Sequence, residues 1–257
     1  MRLNRFLASA GLGSRRSCEE LIRNGYVTID GHLCTKLATE VEENNEVRVR
    51  GKVVQTKPLT YLLLYKPTGF VCTRNDPHAD RTIYDLLPEH FHDLAHVGRL
   101  DKDSAGLLLL TNNGELTLAM THPSHQVDKE YEVLLDKPFD KLLVAKLIRG
   151  FQIEGGWGKM ESVHHLAPAK LKVVLRQGIN RQIRKMFYRL GYEVKKLVRI
   201  RIGPLRIETM RPGQWTLLTK AEVVPLQKTK PVTRSGKPVR KSPPKSSAKP
   251  RGDRRPR

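Results

Sequence analysis

The sequence lacks the motifs with which common enzyme classes hold nucleotides, metals or activated nucleophiles. It contains neither GxxxxGKS nor GxxxxGKT, and no GxGxxG between a strand and a helix, so no nucleotide cofactor is expected. It has no GxSxG segment, and no cysteine lies beside a candidate base. The pairs His90/His92 and His164/His165 have no third ligand at a suitable spacing, so no metal site is expected. What remains is acid–base and electrostatic chemistry by the chain's own side chains.

Cysteine is scarce, and long apolar runs are absent. Cys18, Cys34 and Cys72 are odd in number and widely spaced, which fits a reduced cytoplasmic setting and argues against a structural zinc site. No run approaches the roughly 18 apolar residues of a membrane-spanning helix. The N-terminus starts with a basic residue, but its apolar run is weak and interrupted by Ser and Gly, so no secretory signal is expected. A cytoplasmic location away from membranes is predicted.

Acidic residues are far fewer than basic ones. The 47 Lys and Arg against 26 Asp and Glu give a net charge of +21, which favours a polyanionic partner, nucleic acid first and an anionic membrane surface second. Residues 229–257 carry +10 of that charge together with six prolines and few apolar residues, so they are predicted to form a disordered tail. The remainder still carries +11, so the ordered part is basic in its own right.

The first 50 residues predict a small unit of helices and strands. Apolar residues from Leu3 to Ala10 recur at helical spacing, and a second helix is predicted from about Arg15 with Ser14 as its N-cap. "VTI" and "VRV" alternate as strands, and an Asp-Gly turn follows the first of them. Five arginines fall on or beside the two helices: Arg2, Arg5, Arg15, Arg16 and Arg23. They form either a face that contacts phosphates or the polar side of an ordinary amphipathic domain.

Strand patterns predominate in the rest of the chain. "YLLLYK", "GLLLLT", "KEYEVLL", "AKLKVVL" and "VRIRIGPLRI" predict strands, with helices interspersed irregularly, notably at "NRQIRKMFYRLGY". This distribution predicts an α+β fold with a mixed or largely antiparallel sheet.

Three polar clusters accompany these elements. Asp101 lies in a glycine-flanked loop before an apolar strand, where composition alone favours a structural loop aspartate over a working one. Tyr131 begins a strand, a place where a tyrosine is usually half-buried packing. The third cluster is a basic helix start with Asn180 as the predicted cap, and its members are Arg181, Arg184 and Lys185. A basic first turn opposes the helix dipole, so an anion must offset it, either RNA phosphate or a carboxylate from elsewhere in the fold.

Taken together, the clusters resemble the bacterial ribosomal-RNA pseudouridine synthases of the RsuA/RluB type. The resemblance runs from residue 1 to about 227. It rests on five segments in the family's order: "RLNRFLASAGLGSRRSCEELIRNGYVTIDG", "GRLDKDSAGLLLLTNNGEL", "KEYEV", "GINRQIRKM" and "LVRIRIGPLRI". It implies an S4-type RNA-binding domain at 1–56, a pseudouridine synthase catalytic domain at 57–227, and a basic tail at 228–257 outside the resemblance.

The resemblance also implies roles for single residues. Asp101 matches the family's essential aspartate, Tyr131 its active-site tyrosine, and Arg184 the basic residue that pairs with that aspartate. Arg99 would help to fill the space left by a flipped base. Arg181 and Lys185 are predicted to contact RNA together with Arg99 and the five N-terminal arginines. Uridine isomerisation breaks the N1–C1′ bond, turns the uracil and reattaches it through C5, which requires no cofactor. Whether Asp101 would attack C1′ or remove the C2′ proton stays open.

The expected partner is ribosomal RNA or a pre-ribosomal particle, with 23S favoured over 16S rRNA by the resemblance of "GINRQIRKM", and the expected state is a monomer. The alternative is a non-catalytic, rRNA-binding assembly factor on the same scaffold, although such a binder would have no need of Asp101, Tyr131 and Arg184 together. A protein attracted to membrane surfaces is a third possibility, but no amphipathic helix with large apolar residues lies near the tail.

Overall fold

The computed structural model describes residues 1–74, 79–122 and 127–227, so the predicted disordered tail lies outside the described residues. The α-helices in these ranges are α1 (Leu3–Ser9), α2 (Arg15–Arg23), α3 (Gly114–Thr121), α4 (Val144–Arg149), α5 (Gln182–Arg189) and α6 (Lys220–Gln227). The strands are β1 (Val27–Ile29), β2 (His32–Leu33), β3 (Val47–Val49), β4 (Lys52–Val53), β5 (Tyr61–Lys66), β6 (Ala95–Val97), β7 (Ala105–Thr111), β8 (Lys129–Leu135), β9 (Phe151–Ile153), β10 (Gly156–Gly158), β11 (Ser162–Ala167), β12 (Lys170–Leu175), β13 (Val194–Ile202), β14 (Leu205–Arg206) and β15 (Trp215–Leu217). Short 3-10 turns occupy Ile83–Leu86, Glu89–Phe91 and Lys141–Leu143.

The N-terminal unit forms as its sequence predicts. Ser14 caps α2, its hydroxyl oxygen accepting a hydrogen bond from the Ser17 backbone N–H at 3.1 Å. Cys18 and Ile22 of that helix are fully buried against the apolar residues of α1 and the antiparallel sheet β2-β1-β3-β4. The boundary predicted at residue 56 falls between β4 and β5 and stays a prediction.

The larger unit is organised around a mixed sheet with the strand order β11-β12-β8-β13-β7-β5-β15. β14 pairs with β13, and β6 pairs with β7. Among the strand pairs of the described ranges, β13 with β7 is the parallel one and the others are antiparallel. The predicted α+β class with a mixed, largely antiparallel sheet is therefore confirmed.

Strand β7 lies in the middle of this sheet and is buried on both faces. Leu107 and Leu109 pack into the apolar cluster that includes α3 and α6, while Leu108 and Leu110 pack into the cluster on the opposite face. All seven residues of the strand are buried. Because neither face meets water, a continuous apolar run replaces the usual alternation. The loop that precedes β7 is therefore joined to one of the most constrained strands of the fold.

Helix α5 packs against the other half of the sheet, as its apolar stripe predicts. Ile183, Met186 and Phe187 are buried in the cluster that β8, β12 and β13 share. This packing brings the start of α5 to the same edge of the sheet as the loop before β7.

The two units touch through an exposed ion pair, in which Arg5 of α1 lies 2.7 Å from Glu115 of α3. Lys57, the first residue after the predicted boundary, lies 2.7 Å from Asp93. No helix in the described ranges is both long enough and apolar enough to cross a membrane.

Candidate active site

A cleft of about 860 Å³ opens where the loop before β7, the start of β8 and the start of α5 meet. Asp101 and Tyr131, which the sequence places far apart, both line this cleft. Arg99 and Arg181 line it as well, whereas Lys185 and Arg184 are not among its lining residues in the described ranges. Two of the three predicted catalytic residues thus share one cavity.

The Asp101 loop, residues 98–104, is held by the neighbouring segment that carries Cys72. The backbone N–H of Leu100 donates to the Cys72 sulfur at 3.4 Å, and the thiol lies 3.3 Å from the Leu100 carbonyl oxygen. A turn follows in which the Ser104 N–H donates to the Asp101 carbonyl at 3.1 Å. Leu100 is buried, so the residue just before Asp101 is fixed by packing as well.

A buried lysine holds the same loop from beneath. Lys66, at the end of β5, has no exposed surface, and its ammonium donates to the carbonyl oxygens of Pro67 at 3.0 Å, Asp101 at 3.0 Å and Ser104 at 2.7 Å. Burial lowers the pKa of this ammonium. Its three donors nevertheless match three acceptors, which is the geometry of the protonated form. Lys66 therefore fixes both ends of the turn that presents Asp101.

Strands β7 and β13 approach each other unusually closely at Gly106. Its φ is +112°, and a Cβ there would lie 2.5 Å from the backbone nitrogen of Arg199 and closer still to the Arg199 carbonyl oxygen. No side chain fits that space, so only glycine allows the parallel pairing of Gly106 with Arg199. The crossing brings Arg199 next to the Asp101 loop, where its Nε donates to the Leu107 carbonyl at 2.7 Å.

The ion pairs at the start of α5 differ from those that the family resemblance implies. Arg184 lies 3.2 Å from the carboxylate of Asp103 and donates to the Asp103 and Val194 carbonyls. Arg181 makes two hydrogen bonds to the Asp103 carboxylate, at 3.0 and 2.8 Å, and lies 3.6 Å from that of Asp101. In this structure Arg181, rather than Arg184, lies beside the Asp101 carboxylate, and the role that the resemblance implies for Arg184 stays a prediction.

The physical reason lies in the conformation of Arg181. Asn180 was predicted as the N-cap, but Arg181 takes that position with a left-handed backbone, φ 52° and ψ 31°, and no side chain caps the helix. Arg181 thus stands one position before the first turn, three residues from Arg184, and both guanidinium groups reach the same carboxylate. The anion that offsets the basic helix start is the carboxylate of Asp103, which reaches it from elsewhere in the fold.

The ionised form of Asp103 is favoured by these contacts. Burial alone would raise the pKa of the Asp103 carboxyl, but the hydrogen bonds from Arg181 and the charges of Arg184 and Arg181 hold it below its ordinary value of 3.8. Asp103 is thereby the anchor that joins the Asp101 loop to α5.

Replacing Asp103 by Asn is expected to lower the free energy of unfolding by about 1 kcal/mol at neutral pH, a modest value because the side chain is half-exposed and screened by water. Since the pKa of Asp103 is depressed in the folded protein, this stabilisation is fully present at a pH above 3.8, the ordinary pKa. It is lost as the pH falls through the depressed pKa. Urea unfolding of the wild type and the Asp103→Asn variant at a series of pH values from neutral downward measures this, and the two free energies of unfolding are expected to converge at acidic pH.

The matched control is Asp80→Asn, because the Asp80 side chain is 89% exposed and lies 3.7 Å from Lys102. It is expected to leave stability unchanged. A loss in the Asp103 variant that stays constant down to acidic pH would contradict an ionic role for this carboxylate.

Tyr131 stands on β8 beside the central parallel pair. It is half-buried, packs against two of the apolar clusters, and lies directly opposite Arg199 in the antiparallel pairing of β8 with β13. Tyr131 is thus held by packing against apolar side chains and also lines the cleft.

The residues predicted to contact RNA fall into two groups. Arg2, Arg15, Arg16 and Arg23 are exposed on the N-terminal unit, and Arg99 is exposed at the cleft. The second group is held in ion pairs: Arg5 with Glu115, Lys185 with Glu154 at 2.8 Å, and Arg181 with Asp103 at 2.8 Å. In the part of the chain that the structure describes, the first group makes no ion pair closer than the 3.9 Å contact of Arg23 with Glu19, so a ligand can reach it without breaking a close ion pair.

Four residues that shape the site were not singled out as functional from the sequence: Lys66, Asp103, Lys129 and Arg199. Lys66 is the last residue of an otherwise apolar strand, and a lysine in such a strand can indicate a buried ammonium that is held by hydrogen bonds. Arg199 has no such signal, because it and Arg201 alternate with Ile200 and Ile202 on β13, a pattern that predicts an exposed arginine.

Comparisons with known proteins place both units among described families. Residues 60–188 match the RNA pseudouridylate synthase family, and residues 1–47 match the S4 domain. The chain is 37% identical over 234 residues to ribosomal large subunit pseudouridine synthase B of Vibrio cholerae, covering 86% of this chain and 73% of that protein. It is 35% identical over 254 residues to the dual-specificity RNA pseudouridine synthase RluF of Escherichia coli K12, covering 98% and 85%. A crystal structure of a pseudouridylate synthase matches with a TM-score of 0.65 at 27% identity, covering 88% of this chain and 99% of that one.

Proposed function

Because the chain belongs to the RNA pseudouridine synthase family, we propose that it converts a specific uridine of ribosomal RNA to pseudouridine, in 23S rather than 16S rRNA. The observation that carries the proposal is the cleft that Asp101 and Tyr131 share, which is framed by cations, in a chain that also carries a unit of the S4 type. The name of the Vibrio cholerae relative, a large subunit enzyme, supports the choice of 23S rRNA. The proposed setting is the cytoplasm, on free rRNA or a pre-ribosomal particle.

In this proposal Asp101 is the catalytic carboxylate at the ribose. If it attacks C1′, the N1–C1′ bond breaks, and the Asp101–C1′ bond breaks in turn when C5 of the turned uracil bonds to C1′. If it removes the C2′ proton, the uracil leaves with the N1–C1′ bonding electrons, and Asp101 returns the proton to C2′ when C5 bonds to C1′. In both routes the C5 proton then leaves while N1 gains one. The product is an isomer of the substrate, so the reaction balances without an added reactant. Arg181, 3.6 Å from the carboxylate, orients it.

Tyr131 is proposed to stack on the uracil, since a planar base needs a flat apolar partner once it has left the RNA helix. Extrusion of the base costs on the order of a few kcal/mol, which contacts to the RNA backbone must offset. Arg99, exposed at the cleft, is proposed to help fill the space left in the RNA, and the exposed arginines of the N-terminal unit to bind phosphates.

Arg184 is assigned a positioning role in the proposal. It fastens α5 to the Asp103 carboxylate and to the Val194 carbonyl, so it acts on Asp101 through the loop and through Arg181. The proposal therefore places Arg181, and not Arg184, beside the reacting carboxylate.

The experiment that tests the function is a map of pseudouridines in 16S and 23S rRNA from cells with and without this gene. The expected result is the loss of one or a few pseudouridines from 23S rRNA, restored by the wild-type gene and not by Asp101→Asn. An unchanged map would refute the proposal in favour of a non-catalytic assembly factor. A loss confined to 16S rRNA would retain the enzyme and overturn its proposed substrate.

A further inference from the structure

One wall of the cleft carries two cations that the proposed chemistry does not use. Lys129 and Tyr131 point to the same side of β8, since they are two residues apart on a strand, and Arg199 lies opposite Tyr131 on the neighbouring strand. Lys129 and Arg199 both line the cleft. They therefore stand beside the proposed uracil-stacking ring, on the side toward the start of β8.

Arg199 is an incompletely satisfied buried charge. It is 3% exposed, and although its Nε donates to the Leu107 carbonyl, its Nη2 has no hydrogen-bond partner among the described residues. A buried guanidinium without a carboxylate partner is costly, and a nearby anion offsets that cost. The covered Nη2 does not itself contact solvent, so Arg199 acts on the cleft mainly through its electric field.

Lys129, unlike Arg199, can contact a ligand in the cleft directly. Within residues 1–74, 79–122 and 127–227, its ammonium makes one long hydrogen bond, 3.3 Å to the Val127 carbonyl, out of the three that it can donate. Burial, and then the charge of Arg199, lower its pKa to about 8, with Asp128 acting in the opposite direction. Asp128 offsets little of the positive charge, since it already accepts a 2.7 Å hydrogen bond from Arg176.

The charged groups on the neighbouring elements and across the cleft are Arg99, Asp101, Asp128, Lys159, Glu161, Arg176, Arg181 and Arg199. Cations outnumber carboxylates among them, and each of the three carboxylates has a basic partner within 4 Å: Asp128 and Glu161 with Arg176, and Asp101 with Arg181. An anion entering the cleft at Lys129 therefore meets a net positive potential.

We propose that Lys129 and Arg199 form a subsite for a backbone phosphate of the RNA, with Lys129 in direct contact and Arg199 supplying the buried charge behind it. The proposal rests on the proposed function, because the phosphate is one adjoining the flipped uridine. A phosphate fits better than a base carbonyl, since two adjacent cations favour a full negative charge over a dipole. The subsite would fix the backbone while Tyr131 holds the base.

A pH dependence follows from the same contacts. Lys129 is charged below about 8 and loses its proton above it, so its contribution to RNA binding is present below that pH and is lost above it. A bound phosphate favours the charged form of Lys129, so the loss of RNA binding is expected at a pH above 8.

The test measures binding of a 23S rRNA transcript in an Asp101→Asn background, where turnover does not interfere. Lys129→Gln is expected to weaken binding about tenfold at low salt and to reduce the slope of log Kd against log salt by about 0.7 to 0.9, the value of one phosphate contact. Lys129→Arg is expected to retain the affinity and to abolish the alkaline loss, because arginine stays charged. In the Asp101 wild type, Lys129→Gln is expected to raise KM with little change in kcat.

The matched control is Lys170→Gln, which removes one positive charge from the opposite face of the same sheet, where Lys170 lies 2.7 Å from Glu132. It is expected to leave the slope unchanged. Equal slopes for Lys129→Gln and the parent, or a fall in kcat at constant KM that Lys129→Arg does not restore, would overturn the subsite. Absence of pseudouridine formation by the wild type would instead refute the proposed function, since the binding slopes do not depend on turnover. Circular dichroism melting confirms that each variant is folded.

Discussion

Asp101→Asn is expected to abolish pseudouridine formation, by on the order of 10³-fold or more, while leaving RNA binding nearly unchanged. Asparagine keeps the size of the side chain, and the contacts that fix the loop at this position use the Asp101 backbone carbonyl, to Lys66 and to the Ser104 N–H. The substitution therefore removes the reactive carboxylate and its attraction to Arg181 without removing the support beneath. Release of the C5 proton from tritiated rRNA transcript measures the activity, and filter binding measures the affinity.

Asp80→Asn is the control for this measurement, because it neutralises a carboxylate on an exposed side chain away from the cleft lining. It is expected to behave as wild type in both assays. Substantial activity in the Asp101 variant would remove Asp101 from the chemistry. A parallel collapse of binding and activity would point to a role in holding RNA.

Gly106→Ala is expected to cost about 2 to 6 kcal/mol of unfolding free energy, whose upper end is close to the whole stability of a marginal domain. Overpacking alone costs about 1–3 kcal/mol, and the backbone region at φ +112°, which side chains rarely adopt, adds about 1–3 kcal/mol. Relief would require β7 and β13 to separate, which would displace Arg199 and the turn that carries Asp101. Chemical denaturation, with activity measured under conditions where the variant is folded, checks both consequences.

Gly114→Ala provides the comparison. Gly114 begins α3, has ordinary backbone angles, and has no heavy atom within 4 Å of where a Cβ would lie. Alanine there is expected to stabilise the protein slightly, by about 0.5–1 kcal/mol. If the two variants behave alike, the close approach at Gly106 is not a constraint on the fold.

The features predicted correctly from the sequence are those whose causes are local. Ser14 caps α2 by a hydrogen bond to a residue only three positions further along the chain. The consecutive leucines of β7 form an uninterrupted apolar run, which is typical of a strand buried on both faces. The strands and helices of the larger unit follow in the same way. The placement of Asp101 and Tyr131 in one cleft came from the family resemblance, since no local pattern relates them.

The features that were missed depend on contacts between distant segments. Lys66 reaches a carbonyl 35 positions away, and Gly106 needs its glycine because of a strand near the other end of the chain. The ion pairs of Asp103 with Arg181 and Arg184 were not predicted for a related reason, because a left-handed Arg181 sets where the helix begins and thus which guanidinium reaches which carboxylate. The identities of the side chains alone do not specify the left-handed backbone conformation of Arg181.

The parallel pairing of β7 with β13 also sets an order of events during translation. Leu107 and Arg199, which a hydrogen bond from the Arg199 side chain joins, are 92 positions apart, so the ribosome needs on the order of ten seconds to make the second after the first. The N-terminal sheet, by contrast, is closed by residues no later than Val53. The RNA-binding unit can therefore fold on the nascent chain well before the strand that completes the floor of the cleft exists, and the emerging protein would be a binder of RNA before it is a catalyst.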